Sequence, residues 1–359
     1  MADSISNDVP IVDGHLDLAE NVTLFGRDLT RSAHEARQMA PCTPWKPVVS
    51  LPDLARGGVA VVIATVTPGF LASDVGADFE PKSALYTTPE QAEAQALAQI
   101  ALYERWESEG RVRLIKSAAD LEHHLALWRA DRQPGLVMLM ESADPIVRVG
   151  DLPRWWARGL RLIGLTYSDT RYGAGVGSGS PDVRAGGLTG EGIELLRRMA
   201  EIGFSWDISH LAEEGVWQGL ELGFPRVCAS HANARALTPT DRHLSDPVIK
   251  ALAERGGVIG LVLYNAFLEP RWRRDKLLPV TLGEHVRRQA EYIGALAGWE
   301  HVGIGSDLDG GFGLDQSPQE IDTVADLAHI GEVVPPAARS AVLSASWLNF
   351  LRESLPRSA

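Results

Sequence analysis

The chain has 359 residues, 45% of them apolar, and a formal net charge of −13. That is enough apolar material for one large domain, while the charge argues against nucleic acid or an anionic membrane as the main partner. No stretch of eighteen apolar residues offers a membrane-spanning helix, and the opening MADSISNDVP lacks the basic-then-apolar pattern of a secretory leader.

Read from the N-terminus, short apolar runs are separated by amphipathic stretches. The runs PIVDGHLDL (10–18) and GVAVVIATV (58–66) come first. A long interval follows, with a proline- and glycine-bearing stretch (67–88), a helix (89–109), a possible short strand RVRLIK (111–116) and a second helix (118–129). Strands resume at GLVMLMES (135–142) and LRLIGLTYS (160–168). Residues 171–187, RYGAGVGSGSPDVRAGG, then read either as a flexible surface loop or as an active-site loop, since they follow a strand end. A helix at 190–203 leads to FSWDISH (204–210) and RVCASHA (226–232), and another at 246–257 leads to GVIGLVLYN (257–265). A third, at 282–298, precedes HVGIGSDLD (301–309). Most of these strands are continuously apolar, as strands buried on both faces of a parallel sheet are. Eight strands alternating with helices point to a (β/α)₈ TIM-type barrel, with 67–134 as an insertion between the second and third barrel strands of a single domain spanning 1–359. The two cysteines, Cys42 and Cys228, are expected to be free thiols, which suggests a cytoplasmic setting.

In such barrels the reacting groups sit where the strands end. Metal-capable residues fall at those ends here: His15 and Asp17 at the first strand, Glu141 at the third, His210 at the fifth, His231 at the sixth and Asp307 at the eighth, with Tyr167 closing the fourth. Residues i and i+2 of a strand share a face, so His15 and Asp17 can reach one ion. Glu141 and the pair Asp307 and Asp309 follow apolar runs, where a buried carboxylate without a partner is costly. Three histidines and three carboxylates exceed what one tetrahedral zinc needs and suit two ions that share a carboxylate. Of the other histidines, His34, His123, His124, His285, His301 and His329 read as surface or core residues, and His243 stands out only by adjoining Arg242.

Several segments together carry a resemblance: GGLTGEGIELLRRMAEIGFSWDISHL (186–211), SHANARAL (230–237) followed by Arg242 and Asp246, DGHLDLAEN (13–21), MESADP (140–145) and GIGSDLDGG (303–311). In that content and order the chain resembles the membrane (renal) dipeptidase family, zinc dipeptidases of the metal-dependent amidohydrolase group. The resemblance implies two zinc ions per chain, with manganese or cobalt also suited to such ligands. His15 and Asp17 would bind one ion, His210 and His231 the other, and Glu141 would bridge both. Asp307 would lie beside the first ion and carry the proton from the attacking water to the leaving amine. The implied reaction is attack on a dipeptide carbonyl, possibly of an L,D-dipeptide, by a hydroxide bridging the ions. Arg242 would receive the substrate carboxylate, a task that suits its planar fork.

The sequence departs from that family in three places. Tyr167 stands where a histidine is usual, so a phenolic hydroxyl would have to serve the carbonyl oxygen. His243 replaces an asparagine, and SASWLNFL (344–351) lacks the usual glycine-glycine-asparagine before the last helix. Tyr167 keeps open an amidohydrolase of other specificity, acting on an N-acyl amino acid or a lactone. A non-catalytic barrel is disfavoured because all six ligand positions are intact. The expected partner is a small dipeptide, and a homodimer is compatible because dimers are common.

Overall fold

A computed structural model describes residues 9–69, 86–275 and 278–358. Most of the proline- and glycine-bearing stretch 67–88 lies outside the described residues, as does most of the N-terminal decapeptide. Among the described residues nine parallel strands are formed: β1 (Ile11–Leu16), β2 (Val59–Val66), β3 (Arg113–Leu114), β4 (Gly135–Met140), β5 (Leu160–Gly164), β6 (Ser205–Asp207), β7 (Val227–Cys228), β8 (Ile259–Leu261) and β9 (Val302–Ile304). Eight run in the order β7-β6-β5-β4-β2-β1-β9-β8. A parallel bridge between Ala229 and Ile259 joins the two ends, with Ala229 N–H donating to Val258 and Gly260 N–H to Ala229. All eight predicted barrel strands are therefore present, and the fold is the expected TIM-type barrel.

The continuous apolar runs have the predicted cause. Every residue of β1, β2, β4 and β5 is buried, as befits strands with side chains in the barrel on one face and helices on the other. The predicted strands overshoot at their C-terminal ends. Tyr167, His210, His231 and Asp307 each lie three residues past the last paired residue of their strand. The chain has already turned there, and His210 and Asp307 sit in the left-handed region, with φ of 63° and 57°.

Between β2 and β4 run the helix Pro89–Ser108, the strand β3 and the helix Ala118–Asp131. The β3 strand pairs with Gly135 and Leu136 of β4, while β5 pairs with Met138 to Met140. Since β2 occupies the opposite edge, β3 and β5 share one edge of β4. Helices Gly190–Ile202, Asp246–Ala253 and Arg287–Ala297 form where spacing placed them, the last entered through a π-turn at Leu282–Val286. The final helix, Ser346–Ser354, follows another π-turn whose carboxyl end delivers Trp347 against β1 and β9. A Cβ at Gly14 or Gly303 would lie 2.4 Å from that indole, and the indole N–H donates to the Ile304 carbonyl at 2.8 Å. Cys42 and Cys228 are both free thiols. Among the described residues, no helix is long and apolar enough to cross a membrane.

Candidate metal centre

All six predicted ligands converge at the C-terminal mouth of the barrel. Three overlapping groups have ligand atoms within 4.8 Å of one another: His15, Asp17 and Glu141; Glu141, His210 and His231; and His15, His231 and Asp307. Glu141 is central. Its Oε1 lies 3.2 Å from His210 Nε2, 3.6 Å from His231 Nε2 and 3.7 Å from His15 Nε2.

The hydrogen bonds behind the histidines decide what their facing nitrogens are. His210 Nδ1 lies 2.8 Å from the Gly177 carbonyl, which can only accept, so Nδ1 carries the proton. Ser230 Oγ lies 2.9 Å from both His15 Nδ1 and His231 Nδ1. That hydroxyl gives its one proton to Asp207 Oδ2 at 2.5 Å, which leaves two lone pairs to accept from the two imidazoles. Every Nε2 in the centre is then an unprotonated acceptor, that of His210 facing the Arg242 guanidinium at 3.1 Å. Burial supports the neutral form: it pulls His15 down to about 4 and holds His210 and His231 well below the usual histidine range.

Unprotonated nitrogens facing one another and a carboxylate are suited to a cation. His15 Nε2 is buried without a hydrogen-bond partner, and His210 Nε2 and His231 Nε2 stand 2.8 Å apart. The carboxylates report the same deficit. Asp17 is raised to about 7 by burial and the Glu141 charge, against the lowering effect of Thr65 and Thr67. Asp307 is pushed well above the carboxylate range by burial, then Asp17, then Glu141. A donor set of imidazole nitrogen and carboxylate oxygen fits divalent metal, so the residues present fit the expected ions.

The surrounding structure sets the ligands in place. Thr65 donates to Asp17 Oδ1, and the Thr67 hydroxyl reaches both Asp17 Oδ1 and Glu141 Oε2 at 3.2 Å. Asp13, raised to about 6 by burial, accepts from Ser306 N and Oγ and so ties β1 to the loop carrying Asp307. A Cβ on Gly310 would lie 1.9 Å from Asp307 Oδ1 and 2.7 Å from Asp17 Oδ2, so only glycine lets the chain pass there. Ser142, His210, Asp307 and Asp309 are four of the five described non-glycine residues with positive φ. Backbone strain thus gathers at this centre, as it does at functional sites.

The glycine- and serine-rich segment 171–187 folds over the same end. Val176 N–H donates to the His210 carbonyl at 2.9 Å, and Gly177 N–H to the Tyr167 carbonyl at 2.9 Å. The Asp241 carboxylate accepts from Ser180 N at 2.6 Å and Arg184 N at 3.2 Å, which pins the segment beside Arg242.

Above the centre lies a cavity of about 380 Å³, within the size range of small-molecule sites. Asp17, Glu141, His210, His231 and Asp307 form its floor, and Trp45, Tyr86, Tyr167, Tyr264, Phe267 and Phe312 give it aromatic walls. The Tyr167 ring packs on His210 with centroids 4.5 Å apart. Arg242 is only 2% exposed and does not itself line this cavity. Its Nη2 reaches the His231 carbonyl at 2.9 Å and His210 Nε2 at 3.1 Å, while Nε and Nη1 have no hydrogen-bond partner.

The profile of the membrane dipeptidase family, peptidase family M19, matches residues 1–352. The chain belongs to that family. It is 34% identical over 252 residues to an uncharacterised Klebsiella pneumoniae protein of the pqqA 5′ region, covering 68% of this chain and 89% of that one. An uncharacterised dipeptidase of Schizosaccharomyces pombe is 30% identical over 175 residues, 48% of this chain and 40% of its own. A metallopeptidase of Rhodobacter sphaeroides, solved with a phosphinate mimic of the dipeptide L-Ala-D-Ala, superposes with a TM-score of 0.77 at 27% identity, covering 96% of this chain and 99% of its own. This M19 peptidase is therefore a metal-dependent hydrolase acting on peptide bonds.

Some functional neighbours were not singled out in the sequence. Ser230 and Asp207 lie inside the histidine motifs, and a serine just before a ligand at the end of a buried strand is the one signal that could have found them. Glu20, Thr65 and Thr67 carry no such signal. Asp309, which posed the same burial problem as Asp307, is answered without metal by Arg27 at 2.5 Å and the Val48 and Val49 amides. His124 and His301 bond backbone carbonyls, at 2.8 and 2.7 Å, outside the centre.

Proposed function

We propose that this M19 peptidase hydrolyses small dipeptides, L,D-dipeptides included, using two zinc ions held by His15, Asp17, Glu141, His210 and His231. The observation that carries this reading is the convergence of three unprotonated imidazole nitrogens on Glu141 Oε1, with two further carboxylates beside them. When bound, the ions would polarise the scissile carbonyl and acidify an attacking water.

The rest of the chemistry belongs to the chain. Asp307 is held where carboxylates crowd, with its proton affinity raised. It takes the proton of the attacking water and returns it to the leaving nitrogen, a role matched by a raised proton affinity. The Tyr167 hydroxyl, fixed over His210, donates to the carbonyl oxygen as negative charge develops there. Its pKa is raised by burial and by the Glu141 and Asp307 charges, so it keeps its proton to donate. Arg242, buried just behind the cavity wall with Nε and Nη1 unpartnered, is the residue assigned to the substrate carboxylate, which would meet it once the side chain turns toward the cavity. The L-Ala-D-Ala mimic on the Rhodobacter sphaeroides relative supports including substrates with a D-residue at the C-terminal side.

A second reading, hydrolysis of N-acyl amino acids or lactones, is favoured by Tyr167 alone. The two separate on whether substrate must carry a free α-amino group. The deciding experiment is hydrolysis of L,L- and L,D-dipeptide libraries by zinc-loaded protein, with Nα-acylated amino acids alongside. Turnover of free dipeptides establishes the first reading. Turnover of acylated amino acids alone, by protein holding two zinc ions, replaces it with the second.

A further inference from the structure

Glu20 lies on the short helix Leu18–Thr23 that follows β1. Its side chain lines the substrate cavity, yet the residue is only 5% exposed. Among the described residues its carboxyl makes no hydrogen bond and no ion pair, and it belongs to none of the three metal-binding groups. Other acids of the cavity are accounted for. Asp17, Glu141 and Asp307 serve the metal centre, Asp144 accepts the Tyr86 hydroxyl at 2.6 Å, and Asp169 pairs with Arg184. Glu20 remains as an unpartnered acid facing the space a substrate would fill. A buried carboxyl of this kind is costly unless something bound there satisfies it.

Charge is also segregated around the cavity. Glu20 follows β1 and Asp144 follows β4, whereas Arg274, on the cavity wall, follows β8 and Arg242, buried behind the wall, follows β7. Along the barrel β7 stands three strands from β1, through β9 and β8. A substrate with its carboxylate toward Arg242 presents its amino-terminal residue toward the β1 side.

We propose that Glu20 is a specificity-determining residue that reads a positive charge, an ammonium or guanidinium, on the amino-terminal residue of the substrate. This rests on the dipeptidase reading above. Two sources carry that chemistry: the α-ammonium common to all free dipeptides, and the side chain of an amino-terminal lysine or arginine.

The test compares lysyl-alanine and arginyl-alanine with norleucyl-alanine, which keeps the length of the lysine stem and drops the charge. Zinc-loaded wild type, Glu20→Gln and Glu20→Asp are measured, with bound metal quantified in each. The expected result is a fall of about tenfold or more in kcat/KM for Glu20→Gln, the scale of one lost charge-assisted contact, with recovery in Glu20→Asp. A fall confined to the lysyl and arginyl substrates identifies the side chain as the group read. An equal fall for norleucyl-alanine identifies the α-ammonium. Unaltered kcat/KM for all three substrates in Glu20→Gln overturns the proposal and leaves the dipeptidase reading intact. A wild type with two zinc ions that cleaves none of these dipeptides overturns both. If Glu20→Gln loses metal, competitive inhibition of the wild type decides: equal inhibition by alanine amide and propionamide, together with equal inhibition by lysine amide and norleucine amide, overturns the proposal.

Discussion

At the scale of single residues, Ser230 does more than its place in the sequence suggests. Its one hydroxyl orients a ligand assigned to each metal position, His15 for the first and His231 for the second. Partners behind metal-binding histidines fix tautomer and orientation, and losing one typically costs 10–100-fold in metal affinity. Ser230→Ala is therefore expected to weaken both metal positions together, by about that factor, as read by chelator competition. Weakening of one position alone would contradict the shared role. Arg242 gives a second expectation. Replacing it with alanine removes a charged donor pair and should raise KM about 10- to 100-fold for dipeptides with a free carboxylate. If C-terminally amidated dipeptides suffer equally, Arg242 is not the carboxylate clamp.

The candidate metal ligands stood out in the sequence because each interrupts an otherwise apolar run, where a polar group needs a reason. Their geometry was not. Nothing in the letters around His210 or Asp307 announces a left-handed backbone, since Asp and His tolerate that region but more often lie outside it, and the contacts around them decide. Glu20 was equally silent, because one acid in the first turn of a helix usually faces water.

At the scale of elements, the segment 171–187 admitted two readings in the sequence, a flexible loop or part of the site. In the structure the Gly177 carbonyl fixes the His210 ring and Asp241 holds the segment down. Asp241→Ala should free residues 176–184, increasing their amide hydrogen exchange, and should lower kcat/KM because His210 loses its fixed orientation. Unchanged exchange across these amides would show that the segment is held by other contacts. Helices at this scale were read well from periodicity, strands less so at their ends. The apolar signal persists past the last paired residue because the chain stays buried after it stops pairing.

For the whole molecule, the barrel followed from counting buried parallel strands, and closure from there being eight of them. The metal centre should in turn govern stability. Any ion that binds the folded chain alone stabilises it by mass action, so chelation should lower Tm and zinc should restore it. If Tm is the same with and without chelator, the centre holds no ion. The centre also sets a pH dependence. Asp17, raised to about 7, is mostly protonated in the metal-free protein at pH 6, with Asp307 shifted in the same direction by burial, while His15, pulled down to about 4, is neutral there. Binding metal must expel the carboxyl protons. Affinity should therefore rise with pH through about 7, with proton release near pH 6 detectable by calorimetry in buffers of different ionisation enthalpy. A dissociation constant independent of pH between 5 and 8 would refute this account.

The shared edge of β4 bears on how such a barrel can be taken apart and recombined. The stretch between β2 and β4 looks in sequence like a cassette that could be shortened or exchanged. Yet β3 is woven into the barrel wall, occupying the edge of β4 that β5 leaves free. The helix after it begins where Ala118 N–H donates to the Pro356 carbonyl near the far end of the chain. Excising this stretch to make a minimal barrel would unzip part of the wall that leads to Glu141 and remove an anchor of the C-terminal tail. A chimera with a relative should therefore carry β2 through β4 and its matching C-terminal tail as one inheritance.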